Sequence, residues 1–180
     1  MMTDPHILGF GEIEVDGFNL KSLGYGANSF VFEVTAGGLP GSYLKVYKQG
    51  TTSCVSERTC LLSLATVSIS ESGYIPKLLQ SNPLKNKKNW DALLMCPVAN
   101  AVNVEGMGSS AVRLYGSDFS LLVTIVQGLH NAGWTHRDIK PSSVLYNLSH
   151  NHVILIDFDS ALELSKWTNT PRGKKLCAVI

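Results

Sequence analysis

The sequence predicts an α+β fold, with antiparallel strands around one helix first and a mainly helical part after it. Three observations carry this. Short β-rich runs separated by glycine-rich turns fill residues 13–47. Two segments, 53–65 and 117–129, carry apolar residues at helical spacing. Between them lie two further β-rich runs, 74–79 and 92–96.

Taken in order, Ile13, Val15, Phe18 and Leu20 alternate ahead of the segment Gly24-Tyr25-Gly26-Ala27-Asn28-Ser29-Phe30-Val31-Phe32-Glu33-Val34. Gly37-Gly38-Leu39-Pro40-Gly41 is a turn, and Tyr43-Leu44-Lys45-Val46-Tyr47 reads as the next strand, so a meander is the simplest pattern. In residues 53–65, Val55, Cys60, Leu61, Leu62, Leu64 and Ala65 can share a broad helical face, with Glu57 and Arg58 in the first turns. Residues 81–89 carry Lys85, Lys87 and Lys88 and read as a solvated hairpin loop. Residues 98–116 are weakly patterned, a linker with at most one short helix. Ser117-Asp118 starts a helix that places Phe119, Leu122, Val123, Ile125, Val126 and Leu129 at helical spacing, and Gly133 stops it. Val153-Ile154-Leu155-Ile156 is a short buried strand.

Composition removes several classes of function. The 180 residues include 15 Lys+Arg and 14 Asp+Glu, a net charge of +1, so binding nucleic acid through bulk charge is not expected. With 44% hydrophobic and 16% charged residues, the chain can bury a core and is not of the disordered class. It has no apolar run of membrane-spanning length and no basic-then-apolar export signal at its start. Cys54, Cys60, Cys96 and Cys177 are widely spaced, without paired zinc-ligand spacing. Free thiols in a reducing, intracellular (cytoplasmic) compartment are expected.

Gly24-x-Gly26 alone is a weak motif, since ordinary hairpins carry glycine pairs. A dinucleotide-binding reading fails, because a strand and not a helix follows. In series with other motifs it gains meaning. Lys45 lies on the next β-like run and Glu57 on the following helical segment. His136-Arg137-Asp138-Ile139-Lys140-Pro141-Ser142-Ser143 follows, and then Asp157-Phe158-Asp159. In this order and spacing the chain resembles the protein kinase superfamily, serine/threonine type, over residues ~20–171.

That resemblance implies a two-lobe fold. Residues 1–96 would form a five-stranded antiparallel small lobe with one helix. Residues 97–180 would form a truncated, mainly helical large lobe. It implies ATP and Mg²⁺ in the cleft between them, and a protein as substrate or partner. Backbone groups at Gly24, Gly26 and Ser29 would approach the phosphates, with Val31 beside them. Lys45 would neutralise the α- and β-phosphates and Glu57 would hold Lys45. Asp138 would take the acceptor proton, and Lys140 would steady the γ-phosphate. Asp157 and Ser143 would hold metal. Met95, Cys96 and Val98 would line the adenine end, and His136 would be structural.

Four departures qualify the match. Ser143 stands where the family has Asn, a better oxygen ligand for a second Mg²⁺. Asp159 stands where glycine reaches positive φ cheaply. Tyr43 stands where a small alanine roofs the adenine. Only 21 residues follow Asp159, far fewer than the family's large lobe needs, so its apolar face would be under-covered. A naturally minimal chain, a product cut short and a fold completed by a second chain are all compatible with this. Two functional readings follow: Mg-ATP-dependent transfer to serine or threonine hydroxyls, or a nucleotide-binding pseudokinase acting as scaffold. Cys177-Ala178-Val179-Ile180, behind Arg172, Lys174 and Lys175, fits a C-terminal prenylation box that would bring a membrane surface into play. A chance cysteine beside aliphatic residues is the plainer reading, since isoleucine is not among the commonest final residues of such a box.

Overall fold

The computed structural model describes residues 12–67, 72–86, 90–98, 100–107 and 116–168. The architecture is α+β, built on antiparallel sheets with few helices. The largest sheet has six strands: β1 (Glu12–Val15), β2 (Phe18–Tyr25), β3 (Ser29–Ala36), β4 (Tyr43–Tyr47), β5 (Leu78–Ser81) and β6 (Ala92–Met95). They lie in the order β1-β2-β3-β4-β6-β5. The expected count of five is thus one short. Asp16 and Gly17 both take positive φ, 52° and 81°, and this tight turn folds residues 12–15 back onto β2.

Alternation along β3, β4 and β6 divides the sheet into two faces. Phe32, Val34, Leu44, Val46, Ala92 and Leu94 point to one side and form a core with Val15, Leu20 and Leu84. Leu84 belongs to the lysine-containing loop expected to be solvated, so part of that loop covers the sheet; Lys85 is exposed, and Lys87 and Lys88 lie outside the described residues. On the other side, Lys45 and Tyr47 face helix α1 (Ser53–Leu64). The buried stripe of α1 is Cys54, Glu57, Cys60, Leu61 and Leu64, whereas Val55 and Leu62 are exposed. The helix therefore turns a carboxylate toward the sheet where apolar patterning alone favours Val55. β5 starts later than expected, at Leu78. The stretch before it contains Pro76, which cannot donate to a ladder.

Residues 101–103, expected as linker, form β7 (Ala101–Asn103). It pairs with β9 (Val144–Asn147), which pairs with β10 (His152–Leu155). Between them runs helix α2 (Gly116–Asn131), which buries Ile125 and Leu129. Phe119 and Val123, expected on the same face, are exposed. β8 (Trp134–Thr135) and β11 (Leu162–Glu163) form a two-stranded ladder, followed by the short helix α3 (Leu164–Thr168). The second core joins α1 to this half through Cys60, Leu61, Leu64, Ile125, Leu129, Trp134, Leu155 and Phe158. Cys54, Cys60 and Cys96 are free thiols, and Cys177 lies outside the described residues. No helix among the described residues is long and apolar enough to cross a membrane.

Two hairpin ends meet at Gly37. Its φ is +83°, and a Cβ there would stand 1.7 Å from the Gly17 carbonyl oxygen. Gly37→Ala is therefore expected to lower the unfolding free energy by ~2 kcal/mol or more in urea denaturation, through clash and left-handed strain together. Gly24→Ala, with no positive φ and open space around it, is expected to stay within ~0.5 kcal/mol of the parent.

Candidate active site

A cleft of about 790 Å³ separates the glycine-rich turn and β4 from residues 138–160. Its charged centre is Lys45. The side chain is 5% exposed, and its Nζ donates to Glu57 Oε2 at 2.7 Å and to Asp157 Oδ1 at 2.5 Å. Three separate elements supply these groups: β4, α1 and the turn after β10. Glu57, 1% exposed, accepts at Oε2 also from the Tyr47 hydroxyl and at Oε1 from the Phe158 N–H at 3.4 Å. Burial works against the Lys45 ammonium, but the charges of Glu57 and Asp157 outweigh it and hold its pKa above the ordinary lysine value. Burial and then the Glu57 charge push the Tyr47 phenol up, so it remains a donor. Burial likewise pushes the thiols up, Cys54 to about 11 and Cys60 to about 12.

The segment from His136 to Ser143 forms a tight frame. His136 is 2% exposed; its Nε2–H donates to the Ile156 carbonyl at 2.9 Å, and its Nδ1 accepts from the Asp138 N–H at 3.3 Å. Burial lowers its pKa, which suits this neutral tautomer and a holding role rather than a proton-transfer one. Lys140 Nζ donates to Asp138 Oδ2 at 2.6 Å at the solvent side of the cleft, and that hydrogen bond raises the lysine pKa. Arg137 and Asp157 both hold left-handed backbone, φ 70° and 69°. The positive φ expected at Asp159 is thus at Asp157, and Asp159 lies in the 3₁₀ turn Phe158–Ser160 without that cost.

Asp138, Asp157 and Asp159 bring one carboxylate oxygen each within 4.8 Å of one another. Three hard oxygen donors at this spacing fit Mg²⁺ or Mn²⁺ better than a soft metal. Ser143 is fully buried, and its hydroxyl donates to the Asp138 carbonyl at 2.8 Å, which fixes the loop. Sequence reading treated Asp159 only as a costly replacement for glycine. The placement of a third carboxylate there depends on the 3₁₀ turn.

Gly24, Gly26, Ser29, Val31, Met95, Cys96 and Val98 all line the cleft. The chain itself does not require the two glycines. A Cβ at Gly24 would meet nothing within 4 Å, and one at Gly26 would meet only the Ser29 carbonyl at 3.9 Å. Their bare backbone leaves open space at the cleft. Tyr43 spans the opposite end, its hydroxyl donating to the Val98 carbonyl at 3.1 Å.

The family model for the lipopolysaccharide kinase (Kdo/WaaP) family matches residues 41–174, from before Lys45 to beyond Asp159. The chain belongs to that family, and so to the kinase-like phosphotransferases that use ATP. No curated protein matches the chain.

Two outcomes follow from the buried charges. Lys45→Met leaves Glu57 without its cation and is expected to cost ~3 kcal/mol in urea denaturation. The added change Glu57→Gln is expected to restore part of that loss, giving a clear coupling in the double-mutant cycle. His136 stays neutral in the fold, whereas the unfolded chain takes up its proton below the ordinary value of 6.5. Stability is thus expected to fall as pH drops from about 7 to about 5, with a smaller slope in His136→Gln.

Proposed function

We propose that the chain is a two-lobed phosphotransferase that passes the γ-phosphoryl group of Mg-ATP to an alcohol hydroxyl. The observation that carries this reading is the Lys45–Glu57–Asp157 assembly, which shares Asp157 with the Asp138, Asp157 and Asp159 carboxylate group in one cleft. The volume is in the range of small-ligand clefts.

Each residue has a task that its position supports. The Lys45 ammonium, already oriented by Glu57, is set to meet phosphate oxygens with little reorganisation. Asp157 and Asp159, beside Asp138, would hold Mg²⁺, which when bound supplies charge neutralisation at the phosphates. Asp138 orients the acceptor hydroxyl and takes its proton. Lys140, bonded to Asp138, places a positive charge where the transferred group leaves the cleft. The backbone around Gly24 and Gly26 covers the phosphate chain. Met95, Cys96 and Val98 line the base end.

Lys140, two residues beyond Asp138, supports a serine or threonine hydroxyl of a protein as acceptor. The family membership supports a second reading, a sugar hydroxyl of a lipopolysaccharide-like glycolipid. Transfer from γ-labelled ATP to either acceptor is expected to fall by at least ~10³-fold in Asp138→Asn, while ATP binding is retained. The labelled product decides the acceptor. ATP binding without transfer to any acceptor would replace this reading by a nucleotide-binding scaffold.

A further inference from the structure

The glycine-rich turn is tied to the rest of the chain from two sides. On the outside, the turn closes on itself through Gly26 N–H to the Ser29 carbonyl at 2.8 Å. Lys48 holds it there. Its N–H donates to the Asn28 carbonyl at 2.8 Å, and its Nζ donates to the carbonyls of Gly26 and Ala27 at 3.1 and 2.9 Å. On the inside, the Asn28 side chain reaches across the cleft. Its Nδ2 donates to Asp159 Oδ2 at 2.9 Å, joining residues 131 positions apart. Both side chains are half-buried and line the cleft.

Asp159 thus belongs to two structures at once, the carboxylate group and the closure of the turn. A carboxylate has two oxygens and about four acceptor positions. Asn28 fills one of these positions at Oδ2, which leaves others for a divalent cation. The two engagements are compatible, so a cation held at Asp159 would be linked to the turn through one side chain. The cleft has its 790 Å³ with this bond in place, so a phosphate chain can enter beneath a turn that is already closed.

We propose that Asn28 is a positioning residue for the nucleotide: its bond to Asp159 latches the glycine-rich turn over the phosphate end of the cleft. This rests on the phosphotransferase reading above. The latch spares the turn an ordering cost when ligand binds. It acts on how tightly nucleotide is held and not on the proton transfer at Asp138.

The test pairs hydrogen exchange with steady-state kinetics on the 180-residue chain. In ligand-free protein, Asn28→Ala is expected to speed amide exchange in the peptide covering residues 24–31 by about five-fold, the loss of one hydrogen bond. Asn28→Asp is expected to speed it further, because two carboxylates then face each other. The swap Asn28→Asp with Asp159→Asn exchanges donor and acceptor and is expected to return exchange toward the parent rate. With ATP, Asn28→Ala is expected to raise KM about five-fold while kcat changes by less than about two-fold. Unchanged exchange in both single variants would overturn the latch. So would faster exchange that the swap does not restore, or a kcat loss without a KM change. A wild-type chain that binds no ATP would instead remove the phosphotransferase reading, and the positioning role with it. Equal melting temperatures across the set would show that each variant folds.

Discussion

Strand β4 has to satisfy two surfaces at once, and the rest of the molecule is arranged around that demand. Leu44 and Val46 pack into the core behind the sheet, while Lys45 and Tyr47 point toward α1. A lysine ammonium with 5% exposure is tolerated only with negative charge beside it. Glu57 supplies that charge and so sets which way α1 rolls. Asp157 supplies more and draws in the turn after β10. The Phe158 N–H on Glu57 closes the arrangement. One cation therefore ties together sheet, helix and turn, elements that apolar packing alone would leave free to rotate against one another.

Much of this was legible in sequence, for identifiable reasons. Lys45 and Glu57 were marked by their order among motifs, and the strands around Lys45 by alternation. The helix near residue 120 was marked by spacing and by Ser117-Asp118. The failures have physical causes too. The Asp16-Gly17 dipeptide is a strong tight-turn signal, yet β1 has only four residues and merged with β2 on the page. Hydrophobicity alone favours Val55 on the inward face of α1, whereas the buried carboxylate of Glu57 occupies that side. Tyr47 lies two residues from Lys45 on the same strand face, and period-two reasoning alone would have placed it on Glu57. Short ladders such as β8 with β11 join residues 27 to 29 positions apart and leave almost no local pattern.

The cleft's acidic side shows how a departure in one motif can be met by another. Ser143 gives up its hydroxyl to the Asp138 carbonyl and so stiffens the loop that carries Asp138. Asp159 brings a carboxylate to a position where glycine would bring none. Oxygen donors are thus gathered from the turn after β10 where residues 136–143 offer fewer. The change is coherent because the left-handed backbone falls on Asp157, which frees Asp159 to carry a side chain.

The burial of Glu57 also bears on descent. A lineage that lost the need for turnover would ordinarily let its catalytic groups drift. Here Lys45 and Glu57 are held by folding itself, because losing either strands the other in the interior. Asp138 and Lys140 carry no such second duty, since both face water at the cleft mouth. Relaxed selection would therefore erase the exposed pair first and leave the interior pair as a long-lived fossil. Retention of the exposed pair is thus the more informative sign of selection acting on that pair.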